Sequence, residues 1–137
     1  MSAQPDAGMM AAVERLVRFM AAGAAGEPTG VFADGGVTII ENFAPFVFSG
    51  ASAVRDWTAG FRAHAANLAE LSAAFGEAQD FSVEGGRVYF SLPTTWTGTS
   101  GGKRFSEDGG WAFVLVREGD DWRVQAYGWA VTAYHRC

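Results

Sequence analysis

Two titratable side chains, Glu41 and His64, lie among apolar residues where acid–base chemistry would need them. A carboxylate placed in an apolar cavity has a raised pKa, which suits it to general acid or base catalysis. Glu41 follows an apolar, β-branched segment and shares one of its faces with Val37 and Ile39. Alternation alone does not say which face is inside, so Glu41 is either a catalytic group or an exposed strand residue.

His64 belongs to a stripe of residues spaced three and four apart, which is typical of one face of a helix. The other members of the stripe are Val54, Trp57, Phe61 and Leu68. We therefore predict that His64 points toward the sheet and a pocket, where it would pair with Glu41 as acid and base. The alternative is a core or rim histidine whose ring is satisfied by a backbone carbonyl.

Aromatic residues are abundant, with 11 Phe and 5 Trp in 137 residues. Such a surplus indicates a lined cavity or an apolar interface in addition to a core. Four aromatic residues lie on elements that should converge, and we predict that they bound a pocket for a small apolar ligand: Trp57, Phe61, Trp96 and Trp111.

A second aromatic group lies in the last predicted strand, where Tyr127, Trp129 and Val131 share one face. The opposite face carries the small residues Ala126, Gly128 and Ala130. We predict that the small side faces the helix or cavity and that the aromatic side forms a homodimer contact.

Composition and charge disfavour several classes of function. The formal net charge is −5 without a basic run, which argues against nucleic-acid binding. Cys137 is the only cysteine, and no His, Asp and Glu spacing suggests a metal site. No phosphate-binding glycine loop opens a helix, so no cofactor is predicted. The polar cluster of residues 106–108 is interpreted as a solvated loop. No stretch is long and apolar enough to cross a membrane, which predicts a cytoplasmic protein.

The order of elements is that of an α+β fold. Helical periodicity covers residues 9–22 and a second, long helix begins after Ser52, with strand segments at residues 37–43 and 46–48 between the two helices. Four further strands are predicted at residues 71–84, 87–97, 103–116 and 122–132, joined by turns at Gly85-Gly86 and Gly119 and by a glycine-rich loop at residues 98–102. Helices followed by strands in series predict one domain, residues 1–137, in which a curved mixed or antiparallel sheet wraps around the second helix.

Several short motifs, in this order, resemble the nuclear transport factor 2-like superfamily, with its SnoaL-like and ketosteroid isomerase-like members. They are Phe32-Ala33-Asp34, Ser49-Gly50 with Val54 and Trp57, and Trp122-Arg123-Val124 with Trp129. The resemblance covers nearly the whole chain. It implies a cone-shaped, cystatin-like fold whose mouth admits a small apolar molecule, often in a homodimer.

The chain departs from the ketosteroid isomerase pattern, in which an Asp base acts together with a Tyr and a protonated Asp as hydrogen-bond donors. The resemblance places the donor Tyr near Leu16 or Val17 and the protonated Asp near Phe113 or Val114, all apolar here. It places the base near Ile40 or Glu41. These departures argue against the isomerase mechanism.

Two functions remain open at this point. The resemblance implies a cofactor-independent enzyme of the SnoaL-like kind, an isomerase, dehydratase or cyclase acting on a small apolar or polyketide-like substrate. The alternative is a module that binds or senses a small apolar ligand without altering it. A pocket with at least two convergent titratable groups would favour the enzyme.

Overall fold

The computed structural model describes residues 3–136 and contains two helices and a seven-stranded sheet. In chain order the elements are α1 (Ala7–Ala21), β1 (Val37–Ile40), β2 (Val47–Gly50), α2 (Ala53–His64), β3 (Leu68–Phe75), β4 (Gln79–Glu84), β5 (Arg87–Ser100), β6 (Lys103–Glu118) and β7 (Asp121–Arg136). The predicted α+β fold class with a curved sheet is confirmed.

Helix α1 closes one side of the sheet. It begins at Asp6, whose carboxylate accepts a hydrogen bond from the Met9 N–H at 2.9 Å and so caps a helix end that would otherwise leave free donors. Its inward stripe of Ala12, Val13 and Leu16 is fully buried. The helix packs against β7 and β3.

Helix α2 packs against β1 and β2 and is shorter than its apolar stripe predicts. Trp57 and Phe61 are buried on its inner face, as the stripe indicates. The helix ends at His64, and Leu68 lies in β3 instead of on the helix. The apolar spacing continues past the true end because the first residue of β3 happens to match it.

The sheet is mixed, with the strand order β2-β1-β7-β6-β5-β3, and β4 pairs with β5 on the same side as β3. Strands β4 to β7 form the predicted antiparallel series, and the Gly85-Gly86 turn joins β4 to β5. Strand β1 pairs with β7 in parallel, with Ile40 opposite Gly128. This parallel pair places the first strand beside the long strands of the second half, one strand in from the β2 edge.

The single strand predicted for residues 71–84 is wrong. It breaks between Phe75 and Gln79 into β3 and β4, which pair with different halves of β5. At the break the Gly76 N–H donates to the Pro93 carbonyl at 2.7 Å. Each half can thus pair with β5 while the sheet bends between them.

The predicted faces of β7 are also reversed. Tyr127 and Trp129 point into the concave side, where both are buried, whereas Ala130 is exposed on the convex side. On the convex side the Ile40 side chain lies next to Gly128. A Cβ added at Gly128 would lie 3.8 Å from the Cβ of Ile40, so a small residue leaves room there. The dimer surface predicted from Tyr127 and Trp129 is therefore wrong.

No helix of residues 3–136 has the length and apolarity to cross a membrane.

Candidate functional site

A cavity of about 240 Å³ opens on the concave side of the sheet, between the end of α1, α2 and strands β3 and β5 to β7. Its walls are mostly apolar and aromatic, with a few polar groups. The lining residues are Met20, Glu41, Asn42, Phe43, Phe61, His64, Leu68, Leu71, Trp96, Ser100, Phe105, Glu107, Trp129 and Tyr134.

Glu41 is positioned by β1, whose side chains alternate between the core and solvent. Val37 and Ile39 are buried, and Glu41, the next residue on that face, is only 5% exposed. Ile40 points the other way and is 50% exposed. The backbone N–H of Glu41 donates to the Phe46 carbonyl at 3.0 Å, which fixes the residue just beyond the strand end. The register thus places the carboxylate, and not Ile40, on the cavity wall.

One oxygen of the Glu41 carboxylate accepts hydrogen bonds from two aromatic side chains of the core. Trp57 Nε1 donates to Oε2 at 3.0 Å, and the Tyr127 hydroxyl donates to the same oxygen. No side-chain hydrogen bond from residues 3–136 reaches Oε1. The carboxylate is therefore fixed in orientation while one oxygen stays available to a molecule in the cavity.

Burial raises the pKa of Glu41, because a charged carboxylate loses its hydration there. The hydrogen bonds from Tyr127 and Trp57 oppose this shift, and the nearby charge of Glu107 adds to it. Burial also raises the pKa of Tyr127 far above its ordinary value, reinforced by the Glu41 charge. The Tyr127 hydroxyl consequently keeps its proton and remains a donor to Glu41.

Glu107 is a second carboxylate on the cavity wall. The interpretation of residues 106–108 as a solvated loop is wrong, because β6 runs through them without a break and pairs Glu107 with both Trp96 and Tyr134. Burial raises the pKa of Glu107, and a hydrogen bond from Trp129 partly offsets the effect. Its neighbour Asp108 instead accepts a hydrogen bond from Thr95 at 2.7 Å.

His64 lies at the rim of the cavity, at the last residue of α2. Its ring stacks on Phe43 with centroids 4.8 Å apart, and the residue remains exposed to solvent. Partial burial lowers the pKa of the imidazole below its ordinary value. Within residues 3–136 no hydrogen bond or ion pair joins His64 to Glu41. Both line the same cavity, but the predicted direct pair is not formed.

The four aromatic residues predicted to bound the pocket divide into two groups. Phe61 and Trp96 line the cavity. Trp57 and Trp111 do not; they lie in the packed core beside it, where Trp57 is 0% exposed and Trp111 stacks on Phe113 at 5.1 Å. Trp57 still contributes to the site through its hydrogen bond to Glu41.

Most of the other wall residues were not predicted from the sequence as pocket groups, among them Glu107, Phe105 and Tyr134. Trp129, predicted to lie on a dimer surface, also lines the cavity. Gly109 on the neighbouring strand β6 indicates that the Trp129 side chain points inward, because a Cβ added at Gly109 would lie 2.6 Å from the Trp129 ring. The glycine leaves room for the indole. The residues of the described chain contain no group of three or more His, Cys, Asp or Glu side chains that could hold a metal ion.

Comparison with solved structures identifies the fold. The Kfla4162 protein from Kribbella flavida superposes with a TM-score of 0.77 at 13% identity, over 94% of this chain and 91% of that one. A hexachlorocyclohexane dehydrochlorinase, LinA type 2, gives 0.76 at 8% identity, over 96% and 87%. The chain has the nuclear transport factor 2-like fold.

Another structure with this nuclear transport factor 2-like fold is the CaMKII hub of S. rosetta, with a TM-score of 0.71 at 13% identity over 96% of this chain and all of that one. In sequence, no family model and no curated protein matches the chain. Similarity at this level concerns the fold alone, which hosts both an enzyme and a hub, so function must be argued from the site.

Within this fold, the carboxylate of this chain has its own set of donors. Leu16 and Phe113, where the isomerase resemblance places polar donors, are fully buried core residues. The donors in this structure are Trp57 and Tyr127, and they bind the carboxylate itself. They fix the orientation of the Glu41 carboxylate.

Proposed function

We propose that this protein is a cofactor-independent enzyme that transfers a proton on a small, largely apolar substrate, with Glu41 as the general base and acid. The observation that carries the proposal is the state of this carboxylate: it is buried, held at one oxygen and free at the other, on the wall of an apolar cavity. When ionised, a carboxylate with a raised pKa is a stronger base than an exposed one.

In this proposal the two carboxylate oxygens of Glu41 have different roles. Oε1 takes a proton from the substrate, while Trp57 and Tyr127 keep Oε2 in place and hold the plane of the carboxylate. Fixed orientation matters because proton transfer requires the two heavy atoms within hydrogen-bond distance. The proton is then returned from Oε1 to another atom of the substrate or lost to water at the cavity mouth.

Two further titratable groups, Glu107 and His64, line the same cavity. The convergence of three titratable groups in one cavity favours an enzyme over a protein that only binds its ligand. His64 is neutral at pH 7 because its pKa is lowered, so it can take up a proton at the rim. The dehydrochlorinase LinA supplies an example of an enzyme with this fold, although not a substrate for this chain.

A carbon acid that needs no cofactor tests the proposal. In 5-nitrobenzisoxazole a base removes the C3 proton, the C–H electrons form a nitrile, and the N–O bond breaks to release a coloured phenolate. General base catalysis by one positioned group contributes about 10² to 10⁴ in rate. We expect Glu41→Gln to lower kcat/KM at least about 100-fold for this probe.

The matched control is Glu84→Gln, which makes the same change at an exposed residue of β4 outside the cavity. It should retain the rate of the unmodified protein. Undiminished turnover by Glu41→Gln would overturn the proposal, and so would a protein that reacts no faster than free carboxylate buffer at the same pH.

The second candidate is a module that encloses an apolar ligand without altering it. It is favoured by the walls of the cavity, where most lining residues are apolar or aromatic. Under this hypothesis apolar ligands quench the fluorescence of Trp96 and Trp129, and Glu41→Gln binds them as well as the unmodified protein does. The absence of turnover together with such binding would support the module.

A homodimer remains part of the proposal, through the convex side of the sheet. There Ile40 is 50% exposed and its β2 partner Val47 is 55% exposed, beside the small residues Gly128 and Ala112. Exposed apolar surface over flat, small residues favours contact between copies. Light scattering should give twice 14.6 kDa, reduced to a single chain mass by Ile40→Asp. A single chain mass in the unmodified protein contradicts the dimer.

A further inference from the structure

The walls of the cavity hold two carboxyl groups without a balancing lysine or arginine. Glu41 and Glu107 both line the space, and neither lysine nor arginine occurs among the residues that form it. The remaining basic group, His64, is neutral at pH 7. A buried carboxylate without a cationic partner is normally costly, because charge loses its hydration on burial. A ligand that brings positive charge would remove this cost.

The same walls are rich in aromatic rings. Six of the lining residues are aromatic: Phe43, Phe61, Trp96, Phe105, Trp129 and Tyr134. The faces of such rings carry partial negative charge and attract cations within about 6 Å. Trp is the strongest of them, and both Trp96 and Trp129 face the cavity.

We propose that the cavity binds a small molecule whose apolar body bears a compact positive charge, either a protonated amine or a quaternary ammonium group. This inference rests on the proposed function, since it names the substrate class of the same site. Aromatic faces and two carboxylates together fit that chemistry, whereas either set alone would accept other ligands.

The same features select against other ligand classes. A carboxylate or phosphate ligand would meet Glu41 and Glu107 without any lysine or arginine to bind it. A bare divalent cation would need several oxygen ligands at once, and residues 3–136 contain no cluster of three or more metal-ligating side chains. An organic cation needs no such coordination and can bury its apolar body against the rings.

Three compounds of nearly equal shape separate these alternatives: choline, 3,3-dimethylbutan-1-ol and 3,3-dimethylbutanoate. The first is a cation, the second is its neutral isostere and the third is an anion. Calorimetry at neutral pH should show choline binding at least tenfold more tightly than the alcohol, which corresponds to about 1.4 kcal/mol, with the anion weakest. Equal affinity for choline and the alcohol would overturn the inference.

Glu107→Gln tests the origin of the selectivity, because it removes one wall charge with little change of shape. We expect choline to bind at least about threefold more weakly to this variant, while the neutral alcohol binds as before. Asp108→Asn is the matched control: it removes a charge from the next residue of β6, which lies outside the cavity lining. A loss of choline affinity in the control as large as in Glu107→Gln would contradict the assignment.

Trp96→Leu provides a second route if Glu107→Gln does not fold. It removes a cation-binding ring face and should lower choline affinity more than alcohol affinity. Equal losses for the two compounds would oppose the inference. Turnover of nitrobenzisoxazole is measured separately: turnover without choline preference overturns the ligand class alone, and choline preference without turnover overturns the catalytic proposal alone.

Discussion

The concave side of the sheet has a packed end and an open end, both built largely from aromatic residues. At the packed end the rings touch one another, with Trp57 stacked on Phe61 at 5.6 Å and Trp111 on Phe113 at 5.1 Å. At the open end Trp96 and Trp129 face a cavity. Glu41 stands at the boundary, so the packed end orients the carboxylate and the open end gives a ligand access to it. Aromatic content alone therefore does not distinguish a core from a binding site.

The largest effect should come from removing one indole at each end. Trp57 is 0% exposed and contacts rings on several sides, so Trp57→Ala should lower the free energy of unfolding by about 4 kcal/mol. Trp129 borders an existing cavity, and Trp129→Ala should cost about half as much, or about 2 kcal/mol. Urea unfolding measures both. Equal losses would mean that the two ends are packed alike.

The boundary residue itself gives the next prediction. Glu41→Ala leaves the Trp57 N–H and the Tyr127 hydroxyl buried without an acceptor, which should cost about 1–3 kcal/mol. Glu41→Gln keeps an acceptor oxygen and removes the buried charge, so this variant should be at least as stable as the unmodified protein at pH 7. A Gln variant as unstable as the Ala variant would show that the charge itself stabilises the packed end.

The pH dependence of stability sharpens the comparison further. Because the folded-state pKa values of Glu41 and Glu107 are raised, the folded protein binds more protons than the unfolded chain in the range just above 4.5. The stability that these groups contribute is present below that range and is lost as the pH rises through their folded pKa values. Unfolding free energies at several pH values should therefore fall across this range from this cause, and the fall should shrink in the Glu41→Gln, Glu107→Gln double variant. An identical slope in the variant contradicts the raised pKa values.

The smallest effect concerns the rim. The pKa of His64 is lowered by partial burial, with no carboxylate acting on it. An NMR titration should therefore give a pKa below 6.5 that changes by less than about 0.3 in Glu41→Gln, since a charge shifts a pKa strongly only from nearby. A clear drop in the variant would establish the Glu41–His64 pair that the sequence predicted.

The inward position of Glu41 could be predicted as one of two strand faces, because alternation sets it together with Val37 and Ile39. The faces of β7 could not be assigned in the same way, since alternation does not say which side of a curved sheet is concave. Glu107 was missed because a polar triplet such as residues 106–108 is usually solvated, and only the pairing of β6 with both neighbours places it on the cavity wall. The end of α2 was missed because no glycine or proline follows His64 directly.

The two oxygens of Glu41 differ in their hydrogen bonding, and this difference also affects the stereochemistry of a proton transfer. Because Trp57 and Tyr127 hold Oε2 on the protein side, only Oε1 is left to meet a bound molecule, and it approaches from one wall of the cavity. A base confined in this way removes one of two enantiotopic hydrogens on a prochiral carbon. Under the proposed function, substrates labelled with deuterium at one of these positions should thus lose either nearly all or nearly none of the label.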